Sequence, residues 1–276
     1  MQTPPLLFDR HALALRRARS ARNPSHFLRM AIAADVQERL IAVNRRFMSP
    51  AVVTSLPELW RGILPRATFV PDAETLSLVP GTHDLVIHDM ALHWANDPVG
   101  QLVQCRHALV PDGLLVATLF GGETLQDLRI SLAEAEIAIT GGLSPRVAPM
   151  GEIRDLGGLL QRAGLALPVA DVDTFHVSYA GMTALMLDLR GMGETNVMSE
   201  RLRRPTRRGI FAEAARILER RRADSEGRIS ARFDVITLTG WAPAASQPQP
   251  LRPGTATHRL AEALNTKETP LDPQGG

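Results

Sequence analysis

Three histidines, His83, His88 and His93, recur at intervals of five residues, with Asp89 beside the second and Trp94 beside the third. Histidine titrates near neutral pH, so such residues serve as general bases, proton shuttles or metal ligands. Metal ligands must converge on one point. This run crosses a strand and then a loop, which argues against a shared ion. It instead sets His88, Asp89 and His93 beyond the carboxyl end of a strand, where open α/β sheets hold ligands. His88 and His93 are the candidate catalytic residues, His93 as general base. The competing reading is a surface or capping histidine beside a packing Trp94. Gly121-Gly122-Glu123-Thr124 follows the longest apolar run. The glycines admit close approach of a ligand, with Glu123 or Thr124 facing it, or they serve a plain strand-to-helix turn. Asp72, before Ala73-Glu74-Thr75-Leu76, reads from the residues alone as a helix cap. Cys105 falls inside a helix and reads as core. No Gly-x-Ser-x-Gly elbow exists for a Ser–His–Asp hydrolase.

The elements that must position these residues are legible around them. Asp84–His88 is a short apolar strand. Asn96-Asp97-Pro98 caps a helix, because Asp97 accepts orphan amides and Pro98 presets its φ. Pro111-Asp112-Gly113 is a turn, and Leu114–Phe120 is a continuous apolar strand with both faces covered. Strand, helix, strand predicts a right-handed βαβ unit in a parallel sheet. Upstream, Asn23-Pro24-Ser25 starts a helix running from Phe27 to Phe47, Ala51–Ser55 and Thr68–Val70 are strands, and Pro57 opens a short helix. Downstream, helices are predicted over Thr124–Ile139, Ile153–Ala163, Met182–Leu189, Ile210–Arg222 and His258–Leu264, with strands over Val169–Tyr179 and Ile229–Leu238. The domain reading is a helical segment at 1–49, an α/β domain at 50–241 with a helical insertion at about 180–225, and a mostly irregular tail at 242–276.

The block Asp84–Asp97, followed by Leu109–Gly113, resembles the fourth strand, helix and fifth strand of class I S-adenosylmethionine (SAM) methyltransferases. Within that superfamily, Leu92-His93-Trp94 is similar to the malonyl-carrier-protein methyltransferase of biotin synthesis and to the methyltransferase-like respiratory complex I assembly factor, assembly factor five. Phe120–Leu125, Leu143–Pro149, Asp155–Gly157, Arg190–Asn196, Thr239–Trp241 and Arg252–Ala256 resemble the assembly factor family more closely. The resemblance implies a Rossmann-like, mostly parallel sheet with added helices, and a role on an Fe–S subunit of complex I through arginine modification. It also implies SAM contacts at Asp72, Ala73, His88, Asp89 and Leu92, with substrate contacts at Trp94, Gly122, Glu123 and Thr124.

The upstream region departs from that pattern. A methyltransferase needs a glycine-rich loop after its first strand, where the cofactor lies against bare backbone, and an acid for the ribose after its second. Here Ala51–Ser55 is followed by Leu56-Pro57-Glu58, and only sixteen residues separate Ser55 from Asp72. A βαβ unit takes roughly 30 residues or more. The fold is therefore expected to be truncated near its first two strands. Three functions remain open: a SAM-dependent enzyme acting on a protein, a non-catalytic binding protein that has lost the SAM loop, and a small-molecule methyltransferase.

The chain of 276 residues is 45% hydrophobic and 22% charged, which excludes wholesale disorder. No apolar run approaches the roughly 18 residues of a bilayer span, so membrane association is expected only peripherally, through a partner. One cysteine excludes an internal disulfide and fits a reducing compartment. Residues 1–47 carry nine Arg against three acids, residues 70–175 fourteen acids against five Arg, and residues 190–232 twelve Arg against six acids. Either solvated helix faces or an acidic-partner surface accounts for the basic ends. A nucleic-acid reader would want interleaved aromatics, and the chain has 4%. The basic, amphipathic start reads as part of the mature chain rather than a transit peptide, and a cytoplasmic location is expected.

Overall fold

Strands β3 (His83–His88) and β4 (Leu109–Gly121) lie side by side in parallel, joined by helix α4 (Pro98–Ala108). Both run through the core, β4 from Gly113 onward, so they are apolar without alternation. Asp97 caps α4 by accepting from the Gly100 amide at 2.8 Å, with Pro98 in the first turn. This βαβ unit is the centre of a computed structural model that describes residues 6–248, 260–263 and 265–267.

Four more strands complete the sheet: β1 (Pro50–Val53), β2 (Thr68–Val70), β5 (Ala166–Tyr179) and β6 (Ile229–Trp241). Their order is β2-β1-β3-β4-β6-β5, with β6 antiparallel to both neighbours and the first four strands mutually parallel. The sheet is thus mixed α/β and mostly parallel. Between β1 and β2 the chain forms only the five-residue helix α3 (Pro57–Arg61). Among the described residues no strand lies beyond β2. The sheet accordingly has six strands, with the shortening on the cofactor side that the sequence predicts.

Helices α1 (Arg10–Ser20), α2 (Phe27–Ala42), α5 (Gln126–Thr140), α6 (Ile153–Arg162), α7 (Met182–Met192) and α8 (Arg208–Arg222) surround the sheet. The largest apolar cluster joins Phe233 and Val235 of β6 to Leu128 and Leu132 of α5, Leu185 of α7 and Ile210 and Ile217 of α8. Leu102 and Cys105 of α4 pack with Leu160 of α6 in a second cluster. Contacts divide the chain into two units, Met1–Pro243 and Ala244–Gly276. In the second unit Leu260–Ala263 is helical; the remainder of the predicted 258–264 helix, and the family-like stretch 252–256, lie outside the described residues.

Several predicted boundaries need correction, each for a local reason. Helix α2 ends at Ala42, because Asn44 adopts a left-handed conformation with φ 52°. The chain then runs extended so that the Met48 and Ser49 amides reach the Asp84 carboxylate. Asn23-Pro24-Ser25 does not cap α2; its N-cap is His26, while the Ser25 hydroxyl turns to Asp188. Helix α5 starts at Gln126, because Leu125 is left-handed with φ 54°. Pro111-Asp112-Gly113 is an irregularity within β4, not a separate turn: pairing to β3 jumps from Leu109 to Leu114 there. No helix follows Asp72, which removes the capping reading.

Candidate functional site

The carboxyl ends of β1, β3 and β4 open toward α1, α2 and the segment after α7. The loop after β1 is closed upon itself. The Thr54 hydroxyl donates to Asp89 Oδ2 at 2.6 Å and accepts from the Leu56 amide at 2.9 Å. Thr54 is buried, so a side chain and its hydrogen bonds fill the place where a glycine cradle would leave bare backbone.

Asp89 is fully buried. Its Oδ2 also receives Arg29 Nη1 at 3.1 Å, and Arg29 Nη2 donates to the Met90 carbonyl at 3.2 Å. The same guanidinium lies 3.5 Å from Glu194 Oε1. Glu194 Oε2 accepts from Trp94 Nε1 at 2.7 Å and faces His93 Nε2 at 3.1 Å. Burial alone would push the Glu194 carboxyl up. His93, Arg29 and Arg17 outweigh it and hold the group down at about 2. The Phe120 amide donates to His93 Nδ1 at 3.4 Å, which leaves Nε2 as the nitrogen carrying hydrogen toward Glu194. Both ring nitrogens of His93 therefore have partners in the wall.

His88 is 1% exposed. Gln101 Nε2 donates to the carbonyls of Ala73 and Glu74, which fixes its Oε1 as the partner of His88 Nε2 at 3.2 Å. Nδ1 is buried without a partner. Burial lowers the His88 pKa below its ordinary value, and Gln101, Asp72 and Asp89 only partly oppose it. His83 sits at the opposite end of β3 against the Ser49 carbonyl, roughly 17 Å of strand away.

Asp72 follows β2, as expected, but α1 covers it. Arg17 Nη1 contacts Oδ1 at 2.7 Å and Oδ2 at 2.9 Å, while Arg10 Nη2 reaches Oδ2 at 3.1 Å and also the Asp72 carbonyl. Burial raises the Asp72 pKa and the two arginines more than reverse it, so the carboxylate is held ionised below its usual range. The Ala73 amide donates to the Pro71 carbonyl. Apolar contacts hold α1 in place: Phe8 and Leu13 are buried with Trp94, Val197 and Met198. Burying each such side chain contributes about 1.5–3 kcal/mol. Phe8 meets the Trp94 ring edge-on at 5.2 Å, and its backbone exchanges two hydrogen bonds with the Asn96 amide.

The single crevice expected from the sequence is two cavities. One, of about 370 Å³, is bounded by Arg10, Asp72, Ala73, His88, Gln101 and Gln104. The other, of about 290 Å³, lies under α5, α7 and α8, where His93, Trp94 and Thr124 meet Leu128, Met186 and Phe211. His88 and His93 thus face different spaces. Leu92 is core. Gly122 is explained by packing: with φ 55°, a Cβ there would lie 2.6 Å from Asp234 Oδ2. Glu123 turns outward to Arg232, and neither Gly122 nor Glu123 lines either of these two cavities. The Thr124 hydroxyl donates to the Gly121 carbonyl at 2.8 Å.

Arg10, Arg17, Arg29 and Glu136 also build the site, and the sequence did not single them out. Arg29 shares the buried stripe Ile32, Ala33, Val36 of α2, and Glu136 lies beside buried Leu132 and Ala135 on α5. A charge at a core position was the available signal. Glu136 takes both Arg146 and Ser144, each at 2.7–2.9 Å, and so shapes the 143–150 loop over the second cavity. Asn196 Nδ2 ties that loop to the segment after α7 through the Pro145 carbonyl.

The residues present do not fit SAM on two counts. The loop after β1 carries Thr54 where bare backbone is required. Asp72 is taken by the chain's own guanidinium groups.

No family model matches the chain. It is 35% identical over 220 residues to the zebrafish (Danio rerio) protein named arginine-hydroxylase NDUFAF5, mitochondrial, covering 80% of this chain and 68% of that one. The human protein of that name is 38% identical over 199 residues, 72% of this chain and 57% of its own length. Malonyl-[acyl-carrier protein] O-methyltransferase of Xylella fastidiosa is 33% identical over 181 residues, 66% of this chain and 59% of that protein. Among solved structures, a Bacillus halodurans protein described as a methyltransferase superposes with a TM-score of 0.45 at 11% identity, over 75% of this chain and 99% of that one. The chain spans about 57–68% of the length of these curated relatives. Their names also correct the expected cytoplasmic location, since the NDUFAF5 relatives are mitochondrial by name.

Proposed function

Because the chain belongs to the NDUFAF5 family of methyltransferase-fold proteins, we propose that it is a protein-binding complex I assembly factor that works without SAM. The observation that carries this reading is the double capture of Asp72 by Arg10 and Arg17. Three guanidinium contacts fill most of the four lone-pair positions of this carboxylate and set two cations where an adenine amino group would approach. Arginine hydroxylation, the activity in the relatives' name, stays with those proteins; the function of this chain rests on binding.

The partner is an Fe–S subunit of complex I, as the family implies. The 290 Å³ cavity is its side-chain pocket. Leu125, Leu128, Val147, Met186 and Phe211 make the walls apolar. Glu194 at its edge is neutralised by Arg29. Such a cavity binds by excluding water from an apolar group, with the 143–150 loop as its rim.

The test is capture of that Fe–S subunit by the purified chain. Wild type should retain it, and Met186→Trp, which fills the cavity, should lose most of it while melting within a few degrees of wild type. Equal capture by both proteins, or none by wild type, counts against the reading.

A second reading, SAM-dependent transfer to a protein or a small molecule with α1 displaced, is favoured by one feature. The 370 Å³ cavity stays open beside Asp72 and carries the unpartnered His88 Nδ1. It requires SAM binding to rise when Arg10 and Arg17 are removed.

A further inference from the structure

Strand β5 is the end strand of the sheet, and it is long. From Val169 to Tyr179 it pairs without interruption to β6 on one side. No described segment pairs with its other side. Natural edges are blunted by proline, bulges or lysine. Here Pro168 and the register shift between Ala166 and Val169 protect only one end, and no lysine lies on the strand.

A groove flanks each face of this strand, one beside Pro168, Val169 and Ala170 and the other beside Asp173, Thr174 and Phe175. On the α2 side, Ile32, Asp35 and Glu38 face Asp173 and Phe175 across a space of about 370 Å³. On the α6 side, Ile153, Arg154, Gly157 and Gly158 face Val169 and Ala170 across about 450 Å³. A Cβ built at Gly158 would meet nothing within 4 Å. Successive side chains of a strand point to opposite faces, so a chain laid against β5 would turn alternate residues to the two faces and meet one groove on each, about four residues apart.

Charge selects the occupant. Arg39 bridges Asp35, Asp171 and Asp173 at 2.6–2.9 Å, yet Asp171 and Asp173 remain 43% and 45% exposed. Glu38 is exposed nearby, with no partner among the described residues. Four carboxylates therefore face one guanidinium. A second copy is a poor occupant: antiparallel self-pairing centred on Val172 would set Asp171 against the other copy's Asp173, and like charges across a ladder destabilise it.

We propose that the outer edge of β5 docks an extended, arginine- or lysine-rich segment of another protein as an added strand, with its basic residues on the α2 face. Backbone hydrogen bonds supply affinity and the two grooves supply specificity. This surface is separate from both cavities and does not depend on their role.

The experiment uses the full chain and a fluorescein-labelled peptide alternating Arg and Val. Controls carry Glu in place of Arg, or N-methyl groups on alternate amides, which keep the side chains and remove ladder donors. The Arg peptide should bind and slow hydrogen exchange along 169–177. The Glu and N-methyl peptides should each bind at least about tenfold more weakly, and Asp171→Asn/Asp173→Asn should weaken the Arg peptide about tenfold. Should that variant misfold, as read by circular dichroism, the N-methyl comparison on wild type decides alone. Equal binding of the Arg and N-methyl peptides, equal binding of the Arg and Glu peptides, or a self-dimer through β5 in sedimentation would overturn the proposal.

Discussion

Replacing Arg10 and Arg17 together with Ala should unlatch α1 from the sheet. Asp72 is 8% exposed, and the two arginines are 24% and 19% exposed, so the cluster is closer to a buried pair than a surface one. Removing the partners of a buried charge costs about 3–5 kcal/mol, while exposed pairs contribute about 0–1. Arg17 supplies two of the carboxylate contacts and Arg10 one. Arg17→Ala alone should cost about 1–2 kcal/mol, because Arg10 stays, and the double change about 3 kcal/mol. For a chain of this size 1 kcal/mol is about 2–4 °C, so the double variant should melt about 6–12 °C below wild type by circular dichroism. The control is the same pair of changes made on Asp72→Asn, where the loss should shrink to under about 1 kcal/mol. A full-sized loss in the Asp72→Asn background would refute the ion cluster as the latch and leave packing of Phe8 and Leu13 as the whole explanation.

Three further outcomes follow from the same structure. Arg29→Ala removes the guanidinium paired with buried Asp89 and one of the cations beside Glu194, so urea denaturation should register a loss of about 3–5 kcal/mol; a change below 1 kcal/mol would mean that the pairing is not formed. Gly122→Ala places a Cβ 2.6 Å from Asp234 Oδ2 at φ 55°, so it should destabilise by at least about 1–2 kcal/mol, and a neutral result in a melting assay would contradict the turn geometry. Stability should be level from about pH 6.5 to pH 8 and fall on acidification. His88, Asp72 and Glu194 all have lowered folded pKa values, so the unfolded chain binds more protons below their ordinary values. The stabilisation is complete above those values and is lost as pH falls through the folded ones. For Glu194, held down from 4.5 to about 2, the share is about 3 kcal/mol. Denaturant midpoints unchanged from pH 7 to pH 4 would argue against it.

The central βαβ unit was legible because its signals are local: an Asp-Pro cap, an apolar run without alternation, a strand of the right length. The shortened front was legible from chain length alone, since sixteen residues cannot carry a full crossover. The site was harder. Asp72, His88 and His93 were found, but their partners come from α1, α2 and the segment after α7, far away in sequence. Spacing near His93 cannot reveal that the Phe120 amide and Glu194 consume both ring nitrogens. Spacing near Asp72 cannot reveal that Arg10 and Arg17 arrive from 62 and 55 residues away. Gly122 was visible as a glycine, whereas its reason, the Asp234 carboxylate from β6, lies 111 residues downstream of Glu123, whose amide that carboxylate accepts.

Titration calorimetry of the intact chain with SAM bears most directly on the proposal that it works without this cofactor. The account predicts no heat of binding up to millimolar SAM for wild type. Micromolar binding that is abolished by Asp72→Asn would contradict it, because the carboxylate would then be serving the adenine and not α1.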